Sequence, residues 1–288
     1  ADYAPNVSDV RVHYDDDGGH ISCQRIDPYE WEIIAPEDLK SIKISYCYFA
    51  NTVDAGGSYF DEELFLLNPV NCMLYVDQKT ENTHTLRLPG RYTYFCQIPE
   101  ESPGIYDFGN FQELADSPVI GHSASSPPVI NTLMVGQVRV QFIEMQYPGS
   151  TSIQTPQLEK LKPVLKAQLE LFGDCPVDEY AFLFFPTKNP VRHGVEHEGS
   201  SLLVMGPPET FTTNTTQKGL LELASHEFFH TWNVKNIRPS EYLPYDFGHL
   251  VASPLHYVTE GITTYYGDLM IWKSGVWSLP EWLSSINS

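Results

Sequence analysis

The chain has 288 residues, of which 42% are hydrophobic and 13% aromatic, so it can bury a core large enough for about two domains. Its formal net charge is −20, from 37 acidic and 17 basic residues, which argues against nucleic-acid binding because such binding depends on basic patches. No apolar run reaches the roughly 18 residues that a membrane-spanning helix needs. Composition leaves the cellular compartment and the oligomeric state open.

Residues 1–128 are predicted to form a β-rich N-terminal domain. Residues 10–14 alternate between apolar and polar side chains, and residues 42–49 are rich in β-branched and aromatic ones, as strands are. The run Asp15-Asp16-Asp17 before two glycines lacks the spacing of a calcium loop, so we interpret it as a hairpin turn. The small, polar and proline-rich stretch 123–128 predicts the domain boundary.

The five cysteines form neither a Cys-x-x-Cys pair nor any other metal-ligand spacing. Four of them lie in the N-terminal half, where free thiols are expected, although the sequence does not exclude a disulfide. They are Cys23, Cys47, Cys72 and Cys96, and the fifth is Cys175.

Residues 129–288 are predicted to form the second domain. Strands are predicted at residues 138–143, 179–185 and 201–205, which are apolar or β-branched runs. A helix is predicted near residues 157–172, where Pro163 is expected to kink it or to delay its start. Its apolar stripe, which indicates core packing, consists of Leu158, Leu161, Leu165, Leu169 and Phe172. The last predicted helix follows a capping box made by Ser278 and Glu281.

The most informative motif is His226-Glu227-Phe228-Phe229-His230. Residues four apart lie on one face of a helix, so both imidazoles can bind one metal ion, and Glu227 can act on a water molecule beside it. The preceding residues 219–225 contain no proline, and their apolar residues recur at the three- and four-residue spacing of a helix. The alternative is a buried amphipathic helix whose histidines are satisfied by hydrogen bonds alone.

Catalytic zinc usually takes three protein ligands, and Glu260 is the best candidate for the third. It follows His230 after 29 residues that prolines and glycines break into loop, and it lies in an apolar helical run where an unpaired carboxylate would be costly to bury. The alternative for Glu260 is an ordinary surface glutamate. Thr264 lies one helical turn later, where its hydroxyl either orients a zinc ligand or only packs the helix.

These segments resemble the glycyl aminopeptidase family of gluzincins. The resemblance rests first on residues 226–239, His-Glu-Phe-Phe-His-Thr-Trp-Asn-Val-Lys-Asn-Ile-Arg-Pro, and on the later Glu260-Gly261-x-Thr263-x-Tyr265-Tyr266. The segment Gly194-Val195-Glu196-His197 is similar to the family's Gly-Gly-Leu-Glu-His, and Ala115-Asp116-Ser117-Pro118-Val119 resembles another family landmark. The resemblance implies an α+β fold, in which a β-rich N-terminal domain precedes a thermolysin-like (gluzincin) catalytic domain.

The resemblance also implies one zinc ion per chain, bound by His226, His230 and Glu260, with Glu227 as the general base. Members of the glycyl aminopeptidase family are aminopeptidases, so the resemblance implies a peptide substrate. It also implies a preference for small first residues such as Gly or Ala. Zinc would polarise the scissile carbonyl, and Glu227 would carry a proton from water to the leaving amine.

Glu196 is implied to bind the free α-amino group of the substrate, on a substrate-binding edge strand that includes Gly194. A carboxylate in that position can pair with an ammonium group and confine cleavage to the first peptide bond. The alternative for Glu196 is a solvated strand or loop residue. His193 stands where the family usually has glycine. We assign neither His193 nor His197 to the metal.

Two alternatives to a zinc aminopeptidase stay open. One is a non-catalytic peptide-binding or scaffold protein on the same fold, and the other is a zinc endopeptidase, in which Glu196 would have no role. The resemblance leads us to expect that part of the first domain precedes residue 1. It also leads us to expect a PDZ domain and a tyrosine that steadies the tetrahedral intermediate beyond Ser288, so activity of this chain by itself is an open question.

Overall fold

A computed structural model of the chain describes residues 3–14, 19–153, 155–249 and 251–287. The predicted turn at Asp15-Asp16-Asp17 lies outside the described residues, and the strands on either side of it pair antiparallel, with Val12 opposite Ile21. The predicted α+β class is confirmed. Small antiparallel sheets make up the first part of the chain, and a five-stranded mixed sheet with helices makes up the second.

The first part of the chain consists of short strands. One sheet has the order β3-β2-β1-β4 and contains β1 (Val7–Tyr14), β2 (His20–Arg25), β3 (Trp31–Ile34) and β4 (Ile42–Tyr48). A second has the order β5-β6-β10-β8 and contains β5 (Tyr59–Phe60), β6 (Leu64–Leu67), β8 (Thr93–Phe95) and β10 (Val119–His122). A third pairs β7 (His84–Arg87) with β9 (Ile105–Phe108), and the short helices are α1 (Pro69–Cys72) and α2 (Phe111–Ala115).

The large sheet has the order β11-β12-β13-β15-β14. Its strands are β11 (Val129–Val135), β12 (Val138–Glu144), β13 (Glu179–Pro186), β14 (Arg192–His197) and β15 (Ser200–Met205). The strands β12, β13 and β15 run parallel, because a helical crossover joins β12 to β13, and every residue of β15 is buried. The last strand, β14, returns antiparallel to β15 and forms the edge of the sheet.

Four α-helices accompany this sheet: α3 (Thr155–Phe172), α4 (Asn214–Phe229), α5 (Thr263–Lys273) and α6 (Leu279–Ile286). The predicted stripe of α3 packs into the core, and the helix continues through Pro163 rather than starting after it. The predicted capping box of α6 is present, since Ser278 and Glu281 exchange both hydrogen bonds. A π-helical segment, Tyr257–Ile262, leads directly into α5.

The large sheet is covered on both faces. On one face, side chains such as Phe142, Phe182 and Leu203 pack against α3, α4 and α5. On the other face, Leu183 and Leu202 pack against residues of the N-terminal part, including Leu66. A sheet buried on both sides explains the nearly continuous apolar runs of its central strands.

The two parts of the chain keep their own strand pairing, although they share this core. Within the described residues, strands up to His122 pair with one another and strands from Val129 onward pair with one another. The boundary near residue 128 remains a prediction. All five cysteines are free thiols, of which Cys72 is buried and Cys47 exposed. None of the described helices combines the length and apolar character that crossing a bilayer requires.

Candidate active site

The helix α4 brings the two motif histidines to one side of the large sheet. Its N-terminus is capped by Thr213, whose hydroxyl accepts a hydrogen bond from the Thr216 amide at 3.3 Å. Near its C-terminus, Phe228 is fully buried in the core against the sheet. The helical period therefore turns His226 and His230 toward α5 and the π-helical segment.

Three ligand atoms converge at this place. The Nε2 atoms of His226 and His230 lie 3.0 Å apart, and a carboxylate oxygen of Glu260 lies 3.5 Å from the first and 3.7 Å from the second. Tetrahedral zinc with bonds of about 2.0–2.1 Å holds its ligand atoms roughly 3.3 Å apart. The residues therefore fit a single zinc ion.

The ring nitrogens that point away from this centre are held by hydrogen bonds. His230 Nδ1 lies 2.7 Å from the carbonyl oxygen of Asn233, which can only accept, so Nδ1 donates its proton there and Nε2 is the ring nitrogen that faces the centre. His226 Nδ1 lies 3.3 Å from the Thr264 hydroxyl, the residue for which sequence left two roles open. Such outer contacts fix the orientation of metal-binding imidazoles.

Asn233 also holds the segment that carries Glu260, a role that sequence reasoning missed. Its amide group donates to the carbonyl oxygen of Val258 at 2.9 Å and lies 3.0 Å from the Thr263 hydroxyl. The sequence pattern predicted a helical run here, and the structure differs in that Glu260 lies in π-helical turns. The close approach of α5 to α4 at Gly267, where a Cβ would lie 3.3 Å from the His226 backbone, accompanies this geometry.

Glu227 lies beside the three converging atoms and is almost completely buried. Among the described residues, its Oε2 atom has no hydrogen-bond partner. Burial, and secondarily the charges of Glu196 and Glu260, raise the pKa of Glu227 to about 8. The main chain of Gly194 lies against this carboxylate, since a Cβ there would be only 2.3 Å from Oε1.

Three carboxylates, those of Glu196, Glu227 and Glu260, surround the site. Burial alone would lower the pKa of His230, but the hydrogen bond with Glu260 and the charges of Glu196 and Glu227 raise it to about 9. Hydrogen bonds from the two histidines in turn lower the pKa of Glu260. A divalent cation is the partner that such a cluster favours.

Glu196 lies on the edge strand β14, half-buried. Its carboxylate, that of Glu227 and the His230 ring have atoms within 4.8 Å of one another, so this second group could also surround a cation. This second group offers one imidazole. The group of His226, His230 and Glu260 offers two, and hydrogen bonds orient both of their rings, so it is the better candidate for a zinc site. Glu196 and Glu260 also line a common cavity of about 150 Å³.

The neighbouring histidines of β14 point away from the metal centre, as alternation along a strand requires. His193 Nδ1 accepts a hydrogen bond from the Ala55 amide at 3.2 Å. His197 Nδ1 lies 3.0 Å from Asp116. Among the described residues, neither histidine belongs to a group that could hold a metal ion.

Asp116 connects the N-terminal part to the site, and sequence reasoning gave it no role. One carboxylate oxygen lies 2.9 Å and the other 2.8 Å from the Lys235 ammonium, in the turn after α4. The carboxylate also accepts from the Glu198 amide at 3.0 Å. Burial alone would raise the pKa of Asp116, but the His197 hydrogen bond and the Lys235 charge lower it to about 2. The signal that could have found it is the family landmark around residues 115–119.

Comparison with known families gave two matches. The profile of the Peptidase M61 N-terminal domain matches residues 1–121, and the profile of the M61 glycyl aminopeptidase matches residues 219–288. The two matches together span well over half of the chain. A comparison with curated protein sequences gave no match.

Comparison with solved structures gave fold relatives. An aminopeptidase N family protein from Idiomarina loihiensis is similar with a TM-score of 0.86 and 19% identity over 98% of this chain and 49% of that one. Aminopeptidase A of Legionella pneumophila, in complex with aspartic acid, has a TM-score of 0.57 and 15% identity over 92% and 32%. An M1 zinc metallopeptidase from Deinococcus radiodurans has a TM-score of 0.50 and 15% identity over 93% and 61%. This chain thus spans about half the length of the Idiomarina protein.

Proposed function

We propose that this chain, which belongs to the M61 glycyl aminopeptidase family, carries the metal centre of a zinc-dependent aminopeptidase. The observation that carries the proposal is the convergence of His226, His230 and Glu260, whose ligand atoms lie 3.0–3.7 Å apart with a buried carboxylate beside them. The fold similarity to an M1 zinc metallopeptidase supports zinc as the metal.

Glu227 is proposed as the general base. When bound, zinc supplies a Lewis acid that polarises the scissile carbonyl and lowers the pKa of water. The Oε2 atom of Glu227 is the acceptor for the proton, because it is buried beside the centre and makes no other hydrogen bond among the described residues. The same atom then returns the proton to the leaving amine. Gly194 leaves the space that this carboxylate occupies.

Glu196 is proposed to receive the α-ammonium group of the substrate. It lies on the edge strand β14, whose outer side can align an extended peptide, and its carboxylate faces the same space as Glu227. An ammonium paired with Glu196 positions the first peptide bond next to the metal and the base. A peptide with a blocked amino terminus cannot form this pair.

A preference for small first residues is part of the proposal. The cavity that Glu196 and Glu260 line has a volume of about 150 Å³, well below the roughly 300 Å³ at which ordinary ligand pockets begin. Tyr245 and His256 are among the side chains that limit it. A glycine or alanine side chain fits this space more readily than an aromatic one.

The test combines metal content with the release of free amino acid. Purified protein is expected to contain one zinc per chain by elemental analysis, and to cleave Ala- and Gly-initiated peptides faster than their acetylated forms. Glu196→Ala should remove that difference, whereas Glu198→Ala, which changes an exposed carboxylate two residues further on, should keep it. Equal cleavage of free and acetylated peptides by the unchanged protein would instead identify an endopeptidase. If the full-length parent protein binds zinc and cleaves neither peptide, a peptide-binding role is favoured.

A further inference from the structure

Lys235 is a buried cation next to the proposed amine site. Its side chain is only 13% exposed, and it lines the same cavity as Glu196. A buried ammonium group requires a counter-ion, because an unpaired charge loses its hydration without any compensating interaction. Burial lowers the pKa of Lys235, and the charges of Asp116 and Glu196 both act to raise it, so each of these two carboxylates lies within electrostatic reach of the ammonium.

Asp116 takes this role in the structure. Its two oxygens lie 2.9 Å and 2.8 Å from the Lys235 ammonium, whereas among the described residues no ion pair joins Lys235 to Glu196. The carboxylate is fixed by two further donors on the edge strand and the turn after it, the His197 ring at 3.0 Å and the Glu198 amide at 3.0 Å. Its backbone caps α2, where the Asp116 amide bonds to Gln112 and Leu114. Asp116 is therefore a preorganised acceptor that needs no rearrangement to hold Lys235.

The position of Lys235 has a consequence for the amine site. If its ammonium turned to Glu196, that carboxylate would already be neutralised, and the α-ammonium of a peptide would have to displace a covalently attached competitor. Lys235 belongs to the turn after α4, and its side chain lines the same cavity as Glu196. The choice of counter-ion for Lys235 thus decides whether Glu196 is free.

We propose that Asp116 is a positioning residue, which holds Lys235 away from Glu196 and so keeps Glu196 available for the substrate's α-ammonium group. This inference rests on the proposed role of Glu196 and adds to it a contribution from the N-terminal part of the chain. It gives the ion pair between Asp116 and Lys235 a function in substrate recognition besides the joining of two domains.

The test is a rescue experiment on unblocked and acetylated peptides. Asp116→Asn keeps the shape of the side chain but frees Lys235, so kcat/KM on unblocked peptides should fall by about 10- to 100-fold, mainly through KM. The acetylated peptides, which do not use Glu196, should be cleaved as before. Adding Lys235→Met to Asp116→Asn removes the competitor, and the preference for unblocked peptides should return. A structural defect alone would slow the cleavage of both peptides alike, because it does not depend on the amino group of the substrate.

Three controls keep the outcomes distinct. Glu196→Ala is measured in parallel: if it leaves the preference for unblocked peptides intact, the proposed function is wrong. If Glu196→Ala abolishes that preference while Asp116→Asn behaves as the unchanged protein, or while the double variant is not rescued, the role of Asp116 is refuted. Should Asp116→Asn fail to fold, Lys235→Met alone decides, since it must preserve the preference for unblocked peptides. Its loss in that variant would mean that Lys235 assists binding and does not compete.

Discussion

Replacing Gly194 with alanine is expected to displace the carboxylate of Glu227 and to slow hydrolysis without removing the metal. The added Cβ would lie 2.3 Å from Oε1, 2.6 Å from Cδ and 2.8 Å from Cγ of Glu227. Ordinary carbon–oxygen contacts are close to 3.5 Å, so the carboxylate must move by about 1 Å. Glu227 is almost completely buried, so the groups packed around it oppose this movement.

The size of the effect follows from this displacement. A shift of about 1 Å in a reacting group costs on the order of 100-fold in rate, and a general base contributes about 100- to 10,000-fold in total. We therefore expect Gly194→Ala to reduce kcat by roughly 100-fold, about 2.7 kcal/mol in the activation free energy. The three atoms nearest to that Cβ all belong to Glu227 and not to a proposed metal ligand, so the zinc content should remain at one per chain.

The assay compares Gly194→Ala with a matched glycine near the same site. Gly261 follows the ligand Glu260, and a Cβ on it would meet nothing within 4 Å, so Gly261→Ala should retain kcat and zinc. Both variants are characterised by steady-state cleavage of unblocked peptides and by elemental analysis. A fully active Gly194→Ala protein would refute the role of this glycine, and loss of zinc in it would show that the strand supports the ligands and not the base.

Three further predictions concern the proposed ligands, their orientation and the carboxylate of Asp116. His226→Ala and His230→Ala should each lose most of the zinc, whereas Glu227→Gln should keep it and lose activity; zinc retained by the histidine variants would contradict the ligand set. Thr264→Val should weaken zinc binding about 10-fold and Thr264→Ser should not, as measured by competition with a chelator. For Asp116, the pKa falls from 3.8 to about 2 on folding, so its stabilisation is complete above pH 4 and is lost as the pH falls toward 2. Asp116→Asn should therefore remove about 2 kcal/mol of pH dependence from the free energy of unfolding over that range. If the free energy of unfolding of this variant falls between pH 4 and pH 2 as steeply as that of the unchanged protein, the ion pair is excluded.

The parts of this molecule that sequence could predict are those with short-range patterns. The apolar stripe of α3 and the capping box of α6 follow from spacings of three and four residues, and both are present. The two histidines of α4 follow from the same periodicity. Glu260 could be predicted as the third ligand for two reasons only. An isolated carboxylate in an apolar segment needs a partner, and the segment around it resembles the glycyl aminopeptidase family.

The parts that sequence could not predict depend on contacts between distant segments. Asp116 and Lys235 are 119 residues apart, and no local pattern indicates that they pair. The π-helical turns around Glu260 accompany the approach of Gly267 to the backbone of α4, a tertiary contact without a propensity signal. Asn233 lies within residues 226–239, on which the family resemblance first rests. Its hydrogen bonds to Val258 and Thr263 could not be predicted, because they depend on where the next helix packs against α4.

The edge strand β14 explains why the N-terminal part and the metal site are connected. Successive side chains of a strand point to opposite faces, so Gly194 and Glu196 face the base and the cavity. The flanking positions, His193 and His197, face the N-terminal part, where they bond to Ala55 and to Asp116. A shift of one residue along the strand would exchange the two sets and would put both functional positions out of reach. The contacts of the two histidines therefore fix the register of β14, and through it the distances of Gly194 and Glu196 from the reacting groups.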